Sequence, residues 1–402
     1  MLPSGWYRKA ISEVLNKVSI PVDVVPNEKY REIGIRSHAR GIFHKEEITG
    51  KSLGNKRVFH IEPNCFVVNI VFAWEQAVAK TTANELGMIA SHRFPMFKPK
   101  SEQCDIDYIL FLFKTEYGKY LLGLASPGGA GRNKTLGQSE FAKLVIKLPP
   151  LKEQIKIANI ITTWDKAIET TEKLIINSQQ QKKYLTQQLL TGKHRVAGFT
   201  GAWQKFTLSQ LGDTYSGLSG KTKENFGIGK PYIPYINIFK NSRISIKEFE
   251  YVQIDVGERQ NQVKYGDIFF TTSSETAKEV GMSAVLLDTV EELYLNSFCF
   301  GYRLKNFDLL IPEFAVHLFR GQELRKDLTV LAQGATRYNL SKTQFLKLDV
   351  RLPSIKEQRE VASILTTADR EIESLKTKYQ LLIQEKKALM QQLLTGKRRV
   401  TV

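Results

Sequence analysis

Five short runs in this chain carry side chains suited to recognising another molecule. Arg36-Ser37-His38-Ala39-Arg40 sets two guanidinium forks, a hydroxyl and an imidazole within five residues, between Gly34 and Gly41. Groups of this kind can reach guanine edges and phosphate oxygens, and the same run also reads as a solvated loop. Ser91-His92-Arg93 and Arg132-Asn133-Lys134 repeat the mixture. Farther along, Thr271-Thr272-Ser273-Ser274 with Lys278, and Thr336-Arg337-Tyr338-Asn339, offer hydroxyl, amide and cationic donors after a predicted strand, and Tyr235 and Asn237 add two more polar groups. Trp74 can stack on a flat partner, but beside an apolar run it also reads as core. Arg195, Arg398 and Arg399 either touch an anion or complement the end of a helix.

Catalytic constellations do not form. Gly217-Leu-Ser-Gly-Lys-Thr222 approaches a phosphate loop, but that motif needs a glycine five residues before Gly220, where Tyr215 stands. Phe226-Gly-Ile-Gly229 approaches the glycine loop that cradles S-adenosylmethionine. No Asn-Pro-Pro-Tyr or Asp-Pro-Pro-Tyr follows to hold a target amino group, and a turn between strands is the plainer reading. The six histidines never pair with cysteines or carboxylates at metal-ligand spacing, and no acidic pair with a nearby Glu-x-Lys marks a nuclease centre. The chain reads as a binder, with no catalytic, cofactor or metal site of its own.

The bulk properties narrow what it binds. The 402 residues suffice for two or three domains, and 42% hydrophobic with 25% charged residues is ordinary for a folded globular protein. The longest mostly apolar stretch, Cys65–Trp74, is too short to span a bilayer. The start of the chain lacks a basic and then apolar leader, and Cys65, Cys104 and Cys299 lie far apart, which points to the reducing cytoplasm. A net charge of +17 with a pI near 9.5 favours a polyanionic partner. The excess is spread thinly: +7 over residues 1–147, +4 over 148–196, +2 over 197–351 and +4 over 352–402. Modestly charged folded domains must rely on base edges more than on phosphate alone.

The elements that must position these groups are written twice. Residues 141–196 and 345–400 align without a gap at an offset of 204, with 28 identities in 56 positions. LPPLKEQ at Leu148–Gln154 answers LPSIKEQ at Leu352–Gln358, and QQLLTGK at Gln187–Lys193 recurs at Gln391–Lys397. The intervening segments share little beyond Trp6 and Trp203 near their starts, so the layout is a variable domain (1–147), a constant helix (148–196), a second variable domain (197–351) and a second helix (352–402).

Each constant segment carries apolar residues at alternating spacings of four and three: Ile157, Ile161, Trp164 and Ile168 in the first, Val361, Leu365, Ala368 and Ile372 in the second. That is a coiled-coil stripe. Prolines 149, 150 and 353 stand where a helix begins, and Gly192 and Gly396 where one ends. Each helix should run about 40 residues, about 60 Å. The nearest partner for either stripe is the other copy, in an antiparallel pair about a pseudo-twofold axis. Thr171, Ser178, Lys182 and Lys386 interrupt the stripe and read as partly solvated, or as covered by another subunit. The variable segments read as mixed α/β, with strands at Cys65–Phe72, Tyr108–Phe113, Tyr232–Ile238, Asp267–Thr272 and Leu293–Tyr302 and a helix at Pro312–Leu324.

LPPLKEQ, LPSIKEQ and the twin QQLLTGK endings, separated by unlike domains of about 150 residues, resemble the specificity subunit of type I restriction-modification systems. The resemblance covers the whole chain in layout. It implies a non-catalytic subunit whose two target recognition domains each read one half of a split double-stranded DNA site, with the helices setting the unread gap. It also implies two methyltransferase subunits carrying S-adenosylmethionine, and a restriction subunit using ATP and magnesium for cleavage, in a prokaryotic cytoplasm. A basic coiled-coil scaffold without sequence preference, and an autonomous methyltransferase or nuclease, are the alternatives.

Overall fold

The computed structural model describes residues 2–128, 134–334 and 337–401. They form two compact units: residues up to Glu172 together with those from Thr377 onward, and Lys173–Lys376. Two long helices, Leu151–Leu190 and Ile355–Leu393, contribute to both units. Each starts where proline has closed off the preceding strand, and the glycine two residues past its QQLL run, Gly192 or Gly396, adopts φ +69°, the left-handed conformation that stops a helix.

In the first unit, Tyr7–Ala10 pairs antiparallel with Val145–Leu148, so the chain enters and leaves its variable domain on one two-stranded ribbon. Between them lie two four-stranded sheets. One has the order Leu15–Val18, Met96–Pro99, Phe66–Val68, Val78–Lys80; the other has Ile42–Thr49, Lys29–Ile35, Ile89–Ser91, Val58–His60. Phe66, Phe97, Phe113 and Phe141 pack with ring centroids 5.1–6.0 Å apart. The same core takes in Ile157, Ala158 and Ile161 from the start of the first long helix and Leu393 and Leu394 from the end of the second. The helices therefore run antiparallel here, and Asp165, farther along the first, ion-pairs with Lys386, farther back on the second.

The second unit repeats the plan with other residues. Gln204–Thr207 pairs with Asp349–Leu352. A four-stranded sheet runs Gly212–Ser216, Cys299–Leu304, Ile268–Thr271, Ser283–Val285, and two three-stranded sheets lie beside it. Phe270, Phe300, Tyr302, Phe319 and Phe345 form the aromatic core, joined by Leu189 and by Val361, Ala362 and Leu365. These helix positions match those of the first unit at the same offset, as does the Lys182–Asp369 pair. Lys182 and Lys386 interrupt the stripe because they bridge the helices. Thr171 is buried, its hydroxyl donating to Ala167 of its own helix at 2.8 Å.

One expected strand is a helix and another is split between strand and helix. Ile106–Phe113 is helical, with the Asp105 carboxylate accepting from the Tyr108 N–H at 2.8 Å. Seven of its eight residues are buried, and the unbroken apolar run Tyr108–Phe113 lacks the periodicity that would distinguish a helix from a strand. Pro234 divides the run 232–238: strand Phe226–Ile233 precedes it and helix Tyr235–Lys240 follows. The helix expected over Pro312–Leu324 breaks at Gly321 into Pro312–Leu318 and Gln322–Val330. Among the described residues no helix is long and apolar enough to cross a membrane.

Candidate nucleic-acid interface

The two arginines that follow the long helices have partners within the fold. Arg399 donates from Nε and Nη2 to Glu153 at 2.7 and 2.7 Å and from Nη1 to the Ser4 carbonyl at 2.5 Å. Arg195 donates to Glu357 at 2.6 and 2.7 Å and to the Gly201 carbonyl at 2.9 Å. Glu153 and Glu357 are the glutamates of the two KEQ runs and are almost wholly buried. Each forked pair fastens the beginning of one long helix to the tail of the other, and neither arginine is left to hold phosphate. Arg398 is exposed. The neighbouring glutamines also serve the fold. Gln154 accepts the Asp105 N–H and donates to Pro149, while Gln358 accepts the Ile311 N–H and donates to Pro353. Trp6 and Trp203 lie against Gly396 and Gly192, where an added Cβ would come within 3.0 and 3.3 Å of the rings.

In the first unit a single connector, residues 69–77, gathers the candidate runs. Ile70 donates its N–H to the Arg93 carbonyl at 3.0 Å and accepts the Leu136 N–H at 2.8 Å. Lys134 stands over the Trp74 ring at 5.9 Å, and the Trp74 indole donates to Val71. Glu75 accepts from the Ser37 hydroxyl at 2.8 Å and from the His38 N–H at 2.7 Å, and Gln76 accepts the Ala39 N–H. His38 and Ala39 both have positive φ, so the loop turns tightly and is held from below. Arg36, His38 and Arg40 remain exposed, with Arg36 stacked over Phe43 at 4.8 Å. His92 and Arg93 are exposed, whereas Ser91 is buried and accepts the Arg93 N–H. Arg132 and Asn133 lie outside the described residues.

In the second unit the runs meet around a cleft of about 410 Å³ lined by Tyr235, Ile236, Phe239, Ser273, Ser274, Glu275, Glu279, Phe298 and Arg337. Ser273–Ser274 pairs with Tyr338–Leu340, which brings Arg337 alongside, and the Tyr235 hydroxyl donates to the Ser273 carbonyl at 3.1 Å. Thr272 is half-buried, and Lys278 and Arg337 are exposed. Thr271 and Asn237 face inward at 0% exposure. Thr271 accepts the Met282 N–H, and the Asn237 amide is engaged with Ser245 and Asn241. Thr336 lies outside the described residues.

Sequence reading missed Phe239 and Phe298, which are scattered aromatics until the fold assembles them. It also missed two arginines that shape the loops. Arg320 donates to the carbonyls of Ser283, Ile238, Phe239 and Asn241, and Arg325 to those of Lys278, Val280 and Gly281. Burial lowers Arg320 to about 10. Lys221 of the loop that approaches a phosphate site is paired with Glu258.

The family model described as "Type I restriction modification DNA specificity domain" matches residues 42–178 and 201–384. The chain is similar to the type I restriction enzyme MjaVIII specificity subunit of Methanocaldococcus jannaschii, 25% identical over 283 residues, 65% of this chain and 63% of that protein. It therefore spans less than two thirds of that relative's length. The StySPI specificity subunit of Salmonella potsdam is 23% identical over 197 residues, 48% of this chain and 42% of that one. The fold resembles that of the HsdS subunit from Thermoanaerobacter tengcongensis, with a TM-score of 0.57 at 18% identity over 99% of this chain and 98% of that chain. A chain from a structural study of complex assembly in a type I restriction-modification system aligns with a TM-score of 0.60 at 18% identity, over 99% of this chain and 100% of that chain.

Proposed function

Because the chain belongs to the type I restriction-modification DNA specificity family, we propose that it reads a split, asymmetric sequence in double-stranded DNA and positions enzymatic partners there. The single observation that carries this reading is the pairing of like frames with unlike surfaces. Both units use the same helix positions, the same Glu–Arg clasp and the same Lys–Asp bridge. On that common frame the first unit presents Arg36, Ser37, His38, Arg40, His92, Arg93 and Lys134, and the second presents Tyr235, Thr272, Ser273, Ser274, Lys278 and Arg337. Different side chains on equivalent frames select different half-sites, while the repeated helices offer nearly equivalent docking surfaces to two copies of one partner.

In this reading the chain is not itself an enzyme. Two methyltransferase subunits bring S-adenosylmethionine and flip an adenine from each half-site, a step that needs the base out of the stack. A restriction subunit, where the cell has one, brings ATP and magnesium. The site of action is the prokaryotic cytoplasm. The inward-facing Ser91, Thr271 and Asn237 support the reading loops from behind, and Arg132, Asn133 and Thr336 are assigned to contacts from sequence alone.

Selection of bound duplexes from a randomised library by the assembled complex, at low and at physiological salt, tests the proposal. Recovery of one motif with two defined halves and a fixed gap at both salts is expected. Equal binding of all sequences, lost as salt rises, would instead mark a non-specific scaffold.

A further inference from the structure

We propose that the cleft of the second unit is a thymine pocket, in which Phe298 reads the 5-methyl group of one base in that unit's half-site. The proposal rests on the DNA-specificity reading above and deepens it. Phe298 is 63% exposed, although the next residue, Cys299, is only 2% exposed. It shares the cleft with Ile236, 43% exposed, and with the Tyr235 and Phe239 rings, stacked at 5.9 Å and 18°. Single exposed apolar side chains are ordinary on protein surfaces. Four lining one concavity with a polar rim mark a contact surface.

The ring is presented from a fixed turn. The Phe298 N–H donates to the Asn296 side-chain oxygen at 2.8 Å, and its carbonyl accepts the Thr272 N–H at 3.0 Å. Phe298 is thereby joined to the polar run 272–274, and Tyr235 anchors Ser273 of that run from the other side. A base pair presented here meets apolar carbon and hydroxyl donors together.

Charge decides between the parts of a duplex. Glu275 and Glu279 line the cleft, with Glu279 accepting from the Ser274 and Thr276 hydroxyls, and among the described residues Arg337 is the one cation in the lining. Two carboxylates against one guanidinium disfavour a phosphate inside the cleft. An uncharged base edge suits it, and among the four bases thymine alone carries a methyl group into the major groove.

The test is affinity of the assembled complex for its selected site, with each thymine replaced in turn by deoxyuridine, for the wild type and for Phe298→Ala and Phe298→Leu. Removing one methyl group should weaken wild-type binding about fourfold at a single thymine. The same replacement should do nothing further in Phe298→Ala, and Phe298→Leu should keep most of the discrimination. A wild type indifferent to every methyl group would overturn the proposal, independently of how any variant folds. So would additive losses in Phe298→Ala. If Phe298→Ala instead released a methyltransferase partner and left DNA affinity unchanged, the cleft would be a protein-docking surface and the proposal wrong. Absence of any sequence preference in the wild type would defeat the DNA-specificity reading itself, a result distinct from loss of the methyl effect on a selected site.

Discussion

Glu153 and Glu357 are nearly inaccessible to water, and each carboxylate is met by the fork of one arginine. Removing either glutamate leaves a small buried gap beside a guanidinium whose own side chain is part-exposed and stays hydrated. Glu357→Ala should therefore cost about 1 kcal/mol in stability, read as a lower urea midpoint. A second buried group gives the second unit a pH dependence. His317 packs at 6% exposure beside the Lys182–Asp369 bridge, with Nε2 3.3 Å from the Thr366 hydroxyl, and burial pushes its pKa down to about 4. The unfolded histidine binds its proton near pH 6.5, so between about 6.5 and 4 the unfolded chain holds the proton and the folded one does not. Stability is complete above that window and falls on acidification, by up to about 3 kcal/mol. The residue six positions past the glutamine-bonded N–H is His317 in the second unit and Phe111 in the first. His317→Phe should flatten the pH dependence of unfolding, and an unchanged profile would show that other groups carry it.

At the scale of elements, the Lys–Asp bridges fix which positions of the two helices meet. Asp165→Lys places two ammonium groups face to face, and Lys386→Asp in the same chain should restore the attraction. Their coupling in a double-mutant cycle should be about 0.5–1 kcal/mol, modest because both partners are part-exposed. Seven residues inserted into one long helix alone put the seam out of register, and binding assays should show a shifted gap or no binding. The helices were legible in the sequence because a gapless repeat with flanking prolines and glycines leaves one reading of period and length. Tyr108–Phe113 was not, because an unbroken apolar run carries no period. The lysines in the stripe looked like solvated breaks because their aspartates lie 187 and 221 residues away. The same distance hid the clasp of Arg195 and Arg399. The loops from Arg36 to Arg40 and from Thr271 to Ser274 were visible by composition. Which of their side chains face outward depended on partners such as Glu75 and Met282, which no local pattern reveals.

For the whole molecule, the proposed function predicts that unlike surfaces on like frames make the two halves of the target separable. Exchanging residues 1–147 for the corresponding segment of another family member should change one half of the recognised sequence and leave the other half and the gap as they were. A change in both halves together would contradict the assignment of one half-site to each unit. The central claim is most directly tested by mapping methylated bases across the genome of the cell that carries this gene, with the gene intact and with it deleted. The account predicts that one bipartite motif, methylated on adenine in both halves, disappears with the gene and returns on complementation. An unchanged methylation map would contradict it.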